Sequence, residues 1–284
     1  MKQSQYLQIL KLVKTSLKEY QNWGEDEVYK MPFAPAQASP LQADARIKSA
    51  AHLPQGANLP ADAASSVSHI SEHKSKSDVF EELKNTVLNC KDCALGQTRL
   101  NAVFGEGSPS AEIMFVGEGP GFEEDHKGRP FIGKAGQFLT NLIELAGYSR
   151  ETVYIANIVK CHPMKDPLDP EKRSNDRPPS DEEVAQCSKY LTKQIEIINP
   201  KVIVTLGKPS AKYFLKTDAP MGALRGKFHD YNGIKLMPTY HPSYLIRNGC
   251  IFGKKDQSPE VTKLKKEIWT DFKKVIDYLK TGKE

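Results

Sequence analysis

No stretch of the 284-residue chain approaches the ~18 apolar residues that a membrane-spanning helix needs. The N-terminus has no secretory apolar block, because Lys11, Lys14, Lys18 and Glu19 interrupt it. Arginine is nearly absent there while acids are present, which argues against an organelle transit peptide. Cysteine is scarce and odd in number, five in all, so a disulfide framework is not expected. Aromatic residues all but vanish between Met31 and Ser77, where Ala, Pro, Ser and Gln prevail. Such a segment cannot bury enough apolar surface to fold alone. These absences predict a soluble, intracellular, cytoplasmic protein with no membrane partner. The net charge of +5 is compatible with a nucleic-acid partner and does not prove one.

What is present falls into two parts. Residues 1–78 read as an N-terminal extension. Leu7, Leu10, Val13 and Leu17 recur at helical spacing near its start, and a linker follows. The short helix either docks on the protein or binds an unknown partner protein. Residues 79–284 read as the folded domain. Apolar runs at 111–117, 153–159, 202–207 and 234–238 predict strands. Between them lie helical patterns: 136–147, a capping box at Ser180 and Glu183 opening a stripe through Val184, Cys187, Leu191, Ile195 and Ile198, and a short helix over 210–215. Ser258-Pro259 opens a final helix that ends at Gly282. Alternating strands and helices predict an α/β fold, a three-layer αβα sandwich around a central, mainly parallel four-stranded sheet. Ligands of such sheets sit beyond the carboxyl ends of the strands.

Three segments fall at those ends. The first is GEGPGFEEDHKGRPFIGKAG, from Gly117 to Gly136. It sits where nucleotide loops sit, yet Pro120 removes a donor and Ala135 follows Gly133-Lys134, so no hydroxyl awaits magnesium. Glu118, Glu123, Glu124 and Asp125 would repel a pyrophosphate. The loop suits a neutral, flat, hydrogen-bonding ligand, with backbone groups approaching at the glycines and Phe131 offering a stacking face. A tight surface turn with a solvated acidic rim fits the pattern as well. The second segment places Asn157 in an apolar strand, where an unsatisfied carboxamide costs about 1–3 kcal/mol. It can pair with a base edge showing one donor and one acceptor, or it is a satisfied core asparagine. The third, TYHPSYLIRN, puts His241 just past a strand end, with Leu245 and Ile246 on an exposed loop beside Arg247. Apolar wedges beside cations are what duplex-distorting proteins insert between bases. A surface turn is the commoner meaning of His-Pro.

In this order and spacing, CKDCALGQTR, VFGEGSP, VGEGPGFEEDHKGRPFIGKAGQFL, YIANIVKCHP, the Cys187 helix, VIVTLG and HPSYLIRN resemble the family-4, iron–sulfur uracil-DNA glycosylases. The resemblance runs from about Leu83 to Lys280. It implies a glycosylase that flips uracil out of DNA and hydrolyses its N-glycosidic bond, leaving an abasic site for base excision repair. Catalysis would rest on Glu118, Asn157 and His241. Gly117, Gly119, Pro120, Gly121 and Phe131 would join Asn157 and His241 in binding the base, and Leu245, Ile246 and Arg247 would form the wedge. Cys90, Cys93, Cys161 and Cys187 would hold a 4Fe-4S cluster; spacing alone allows zinc equally. Cys250 lies outside that pattern. The implied partner is uracil-containing DNA, single- or double-stranded, met by a monomer. The segment 164–180 is longer than the family suggests and could touch DNA through Lys172, Arg173 and Arg177. Rival readings are a covalent or a non-catalytic uracil-DNA-binding protein of the same superfamily. Gly119 stands where the covalent branch has glutamine.

Overall fold

The computed structural model describes residues 74–251 and 258–284; the helix and linker expected within 1–73 lie outside the described residues. Helix α1 (Lys76–Asn89) begins three residues before the expected Val79. Ser75 explains the start: its side chain accepts the Asp78 N–H, and the Asp78 carboxylate accepts the Ser75 N–H. This reciprocal cap satisfies donors that the first turn leaves free.

The sheet holds β1 (Glu106–Gly107), β2 (Ile113–Gly117), β3 (Tyr154–Asn157), β4 (Val202–Leu206), β5 (His229–Tyr231) and β6 (Ile234–Thr239), in the order β1-β3-β2-β4-β6-β5. The inner four are the expected strands and run parallel. The edges β1 and β5 are short and antiparallel. β5 turns into β6 through Asn232 and Gly233, both with positive φ (52° and 84°), the backbone that a two-residue hairpin requires. Pro238 sits in β6 beyond Leu236, where pairing with β5 stops, so its missing N–H breaks no ladder bond on that side.

The remaining helices are α2 (Ala94–Thr98), α3 (Phe122–Lys127), α4 (Lys134–Leu145), α5 (Asp181–Ile198), α6 (Lys208–Leu215), α7 (Met221–Leu224), α8 (Pro242–Arg247) and α9 (Pro259–Thr281). Strand side chains alternate between two cores. Met114, Val116, Ile203 and Leu236 pack with Phe80 and Val87 of α1 and with Leu191 and Ile195 of α5. Ile113, Phe115, Val204 and Met237 pack with Phe138 and Leu142 of α4 and with Ile268 and Phe272 of α9. Both faces are covered, so β2 and β4 are buried along their whole length. Each large side chain fully buried this way contributes about 1.5–3 kcal/mol. Among the described residues no helix is long and apolar enough to cross a membrane.

Candidate active site

The site forms where β2, β3, β4 and β6 end together. Gly117 pairs with Asn157 across the parallel ladder, and the ladder continues past both strands. The Ile158 N–H donates to Gly117 O (3.0 Å) and the Val159 N–H to Glu118 O (3.1 Å). This zipper lays Asn157 beside the glycine loop. A side chain at Gly117 would collide with Asn157 Oδ1 and with the Phe131 ring. A side chain at Gly119 would put its Cβ 2.8 Å from Cγ2 of buried Val159, so a glutamine there cannot be accommodated without movement. The glycines are therefore demanded by close approach.

Asn157 is 2% exposed, and its Oδ1 has no hydrogen-bond partner among the described residues. A buried acceptor left without a donor costs about 1–3 kcal/mol, so it fits a group that awaits a ligand. Phe131 lies against the same glycine, and its ring centroid is 5.7 Å from that of His241. The structure thus brings Asn157, Phe131 and His241 into one cluster, from positions more than a hundred residues apart at the extremes.

His241 is the N-cap of α8. Gly207, at the end of β4 with φ of +90°, makes room for it: a Cβ there would lie 2.9 Å from His241 Cβ. Nδ1 accepts the Ser243 N–H at 3.1 Å and lies 2.7 Å from Ser243 Oγ. Arg247 Nη1 donates to that Oγ at 2.9 Å, leaving the serine hydrogen free for Nδ1. An accepting Nδ1 puts the ring hydrogen of neutral imidazole on Nε2. Burial, with the Arg247 charge second, pushes the imidazole down to about 4. Sequence reasoning missed Ser243; its spacing of two from the histidine, at a helix start, was the available signal.

The four loop carboxylates do different work. Glu124 accepts the N–H groups of Ile132 (2.9 Å), Gly133 (3.0 Å) and Gly121 (3.3 Å), pinning the loop to the start of α4. Asp125 is fully buried and accepts from Leu100 and Asn101 N–H, so it serves as a backbone anchor. Glu123 pairs with Arg173 at 2.7 Å. Glu118 alone among them has no such anchor, and burial raises its carboxyl above the usual range.

The expected wedge needs correction. Residues 242–247 form helix α8, not an exposed loop, and Leu245 is 0% exposed within the α4–α9 core. Leu245 therefore cannot enter a duplex. Ile246 is partly buried and Arg247 exposed. In the 164–180 segment, Arg177 is engaged twice by Glu183 (2.7 and 2.8 Å) and by Met164 O (2.9 Å). Arg173 covers the Phe122 ring at 5.0 Å, so the segment folds back over α3.

Cys90 caps the C-terminus of α1, Cys93 the N-terminus of α2, Cys161 follows β3 and Cys187 lies on α5. All four line one cavity. Arg99 Nη1 donates to Cys161 Sγ (3.0 Å) and the Lys160 N–H to Cys187 Sγ (3.2 Å). Burial pushes the Cys161 thiol up to about 12 and raises Cys187, so thiolates there need a cation. Among the described residues no three His, Cys, Asp or Glu side chains are drawn together as for a single metal ion. Four soft sulfur donors lining one cavity, two of them met by N–H donors, are a donor set of the kind thiophilic metals prefer. Cys250 is buried in the opposite core.

An orphaned carboxamide, an imidazole and an aromatic ring thus stand together around bare glycine backbone at the carboxyl edge of the parallel sheet. A profile of the "Uracil DNA glycosylase superfamily" matches residues 104–273. A type-4 uracil-DNA glycosylase of Sulfurisphaera tokodaii is 41% identical over 215 residues, spanning 72% of this chain and 92% of that protein. Those of Saccharolobus solfataricus (43% over 211 residues, 71% and 87%) and Thermotoga maritima (45% over 175 residues, 61% and 86%) are similar in the same way. The chain belongs to the type-4 branch of the uracil-DNA glycosylase superfamily.

Proposed function

We propose that Glu118, Phe131, Asn157 and His241 form the pocket in which this uracil-DNA glycosylase grips the extruded base. The enzyme excises uracil from DNA and so acts in DNA repair. The observation that carries the pocket reading is the buried, unpartnered Oδ1 of Asn157 beside Phe131. Uracil N3–H would satisfy that oxygen, and the amide hydrogens of Asn157 would meet O4. Cytosine, with an acceptor at N3 and an amine at C4, would meet the wrong group twice.

Breaking the bond between N1 and C1′ leaves a cation-like sugar and a uracil anion. His241 Nε2–H, held on that nitrogen by Ser243, would donate to O2 as charge gathers there. One such donor in a dry site is worth about 2.7–4 kcal/mol. An imidazole that stays neutral near pH 7 gives up no proton, so it acts by hydrogen bonding alone. The Glu118 carboxylate would favour the sugar cation and hold the water. Exposed Arg247 and partly buried Ile246 would support the strand after the base leaves. Because the base must leave its stack, single strands and U·G pairs should react faster than U·A.

Cys90, Cys93, Cys161 and Cys187 are the residues that would hold a 4Fe-4S cluster, which when bound would tie the α1–α2 turn to α5 and the segment after β3. The donor set supports it; zinc is the alternative.

The test is incubation of the full chain with a uracil-containing oligonucleotide, followed by alkali and a denaturing gel. Multiple turnover is expected. A heat-stable shifted band would make it a covalent binder. No product and no adduct would make it a non-catalytic one.

A further inference from the structure

Phe131 is one of four described non-glycine residues with positive φ, at +50°, and the only phenylalanine among them. A bulky residue in this region is strained and needs surrounding structure to hold it. At this turn the carbonyls of Pro130 and Phe131 face the loop between α4 and β3. Arg150 lies there, its side chain 12% exposed. Its Nη2 donates to Pro130 O (2.6 Å), and its Nη1 donates to Phe131 O (2.9 Å) and to Thr140 Oγ1 (3.2 Å). Its Nε donates to Glu106 Oε1 at 2.9 Å. Arg129 holds both oxygens of Glu106, its Nε donating to Oε2 and its Nη2 to Oε1, each at 2.8 Å. Only a guanidinium offers enough donors in one plane to serve two successive carbonyls and a carboxylate together. Behind the platform, a side chain at Gly136 would collide with the Phe131 carbonyl.

We infer that Arg150, oriented by Glu106, is a positioning residue for the base-stacking ring of Phe131. It touches no reacting atom. It fixes the backbone turn that presses the ring against Gly117 and sets the distance between ring and Asn157. Two elements that pattern reading leaves unconnected to the site, the edge strand β1 and the α4–β3 loop, thereby fix the position of the pocket wall. The inference rests on the pocket reading above, and the experiment separates the two.

The full-length chain and its Phe131→Ala, Arg150→Met and double variants are compared in single-turnover excision and in inhibition by free uracil. Phe131→Ala is expected to raise the half-saturating concentration and the uracil inhibition constant at least fivefold. Arg150→Met is expected to raise both in the same direction, with the maximal rate within twofold of wild type. In the Phe131→Ala background the same change should add nothing, even where it lowers the melting temperature again. A general structural role predicts the opposite, a melting shift with the uracil constant unmoved. Unchanged uracil inhibition in Arg150→Met, or effects that multiply in the double variant, overturns the inference and leaves the pocket intact. An unaltered Phe131→Ala protein overturns the pocket itself and the inference with it. Should Arg150→Met fail to fold, Glu106→Gln, which frees the guanidinium without removing it, is expected to weaken uracil in the same direction, and wild-type inhibition there overturns the inference.

Discussion

Asn157→Ala should make the free protein no less stable while disabling it. The wild-type protein buries Oδ1 without a donor. Leaving such an acceptor dry costs about 1–3 kcal/mol, which alanine relieves. In the proposed pocket the carboxamide borders Phe131 and Gly117, so truncation would widen the space that the base is to fill. For a domain of this size each kcal/mol moves the melting temperature by about 2–4 °C. A rise of that order, or at the least no fall, is expected by differential scanning fluorimetry without DNA. Excision should drop at least tenfold, about 1.4 kcal/mol in the barrier, in a single-turnover gel assay. A melting temperature several degrees lower, with excision at the wild-type rate, would refute the reasoning: it would mean that the carboxamide has an internal structural partner and no base to read.

Leu245→Ala should cost about 2–5 kcal/mol in chemical denaturation, as a core truncation does, whereas Arg247→Ala should leave stability near wild type and slow duplex substrates more than single strands. For His241, whose folded value is about 4 against about 6.5 in the unfolded chain, the unfolded state binds more protons between those values. Stability should therefore decline as pH falls through that window, and His241→Asn should flatten the decline in pH-dependent melts; the histidine-dependent part of the rate should stay level from pH 8 to pH 5. Purified protein should be brown with broad visible absorption, and Cys161→Ser should lose colour and bound iron by metal analysis; a colourless, zinc-loaded, fully active protein would count for zinc.

Much of the architecture could be read from pattern alone, because β2 and β4 are buried on both faces and appear as apolar runs, broken in β4 only by Thr205. The short edges could not: β1 has two residues and no pattern, while β5 was announced only by Asn232-Gly233. In the site, Asn157 stood out as a polar residue in an apolar strand. The loop acids misled, since Glu124 and Asp125 look like cleft rim and are backbone anchors for segments up to 25 residues away. Leu245 misled for a related reason. Six residues that begin with a proline look like loop, yet they wind into a helix turned toward the α4–α9 core. Ser243 and Arg150 act through contacts whose meaning appears only when the chain has folded.

Asn157 and Cys161 are four positions apart, and Lys160 between them is 1% exposed. Its ammonium donates to Asn157 O (2.8 Å) and Gln194 Oε1 (2.6 Å), while its own amide holds Cys187 Sγ. The thiol chamber and the amide that would read the base therefore share a strut. A disturbance among the sulfurs thus has a short path, through Lys160, to the backbone that carries Asn157.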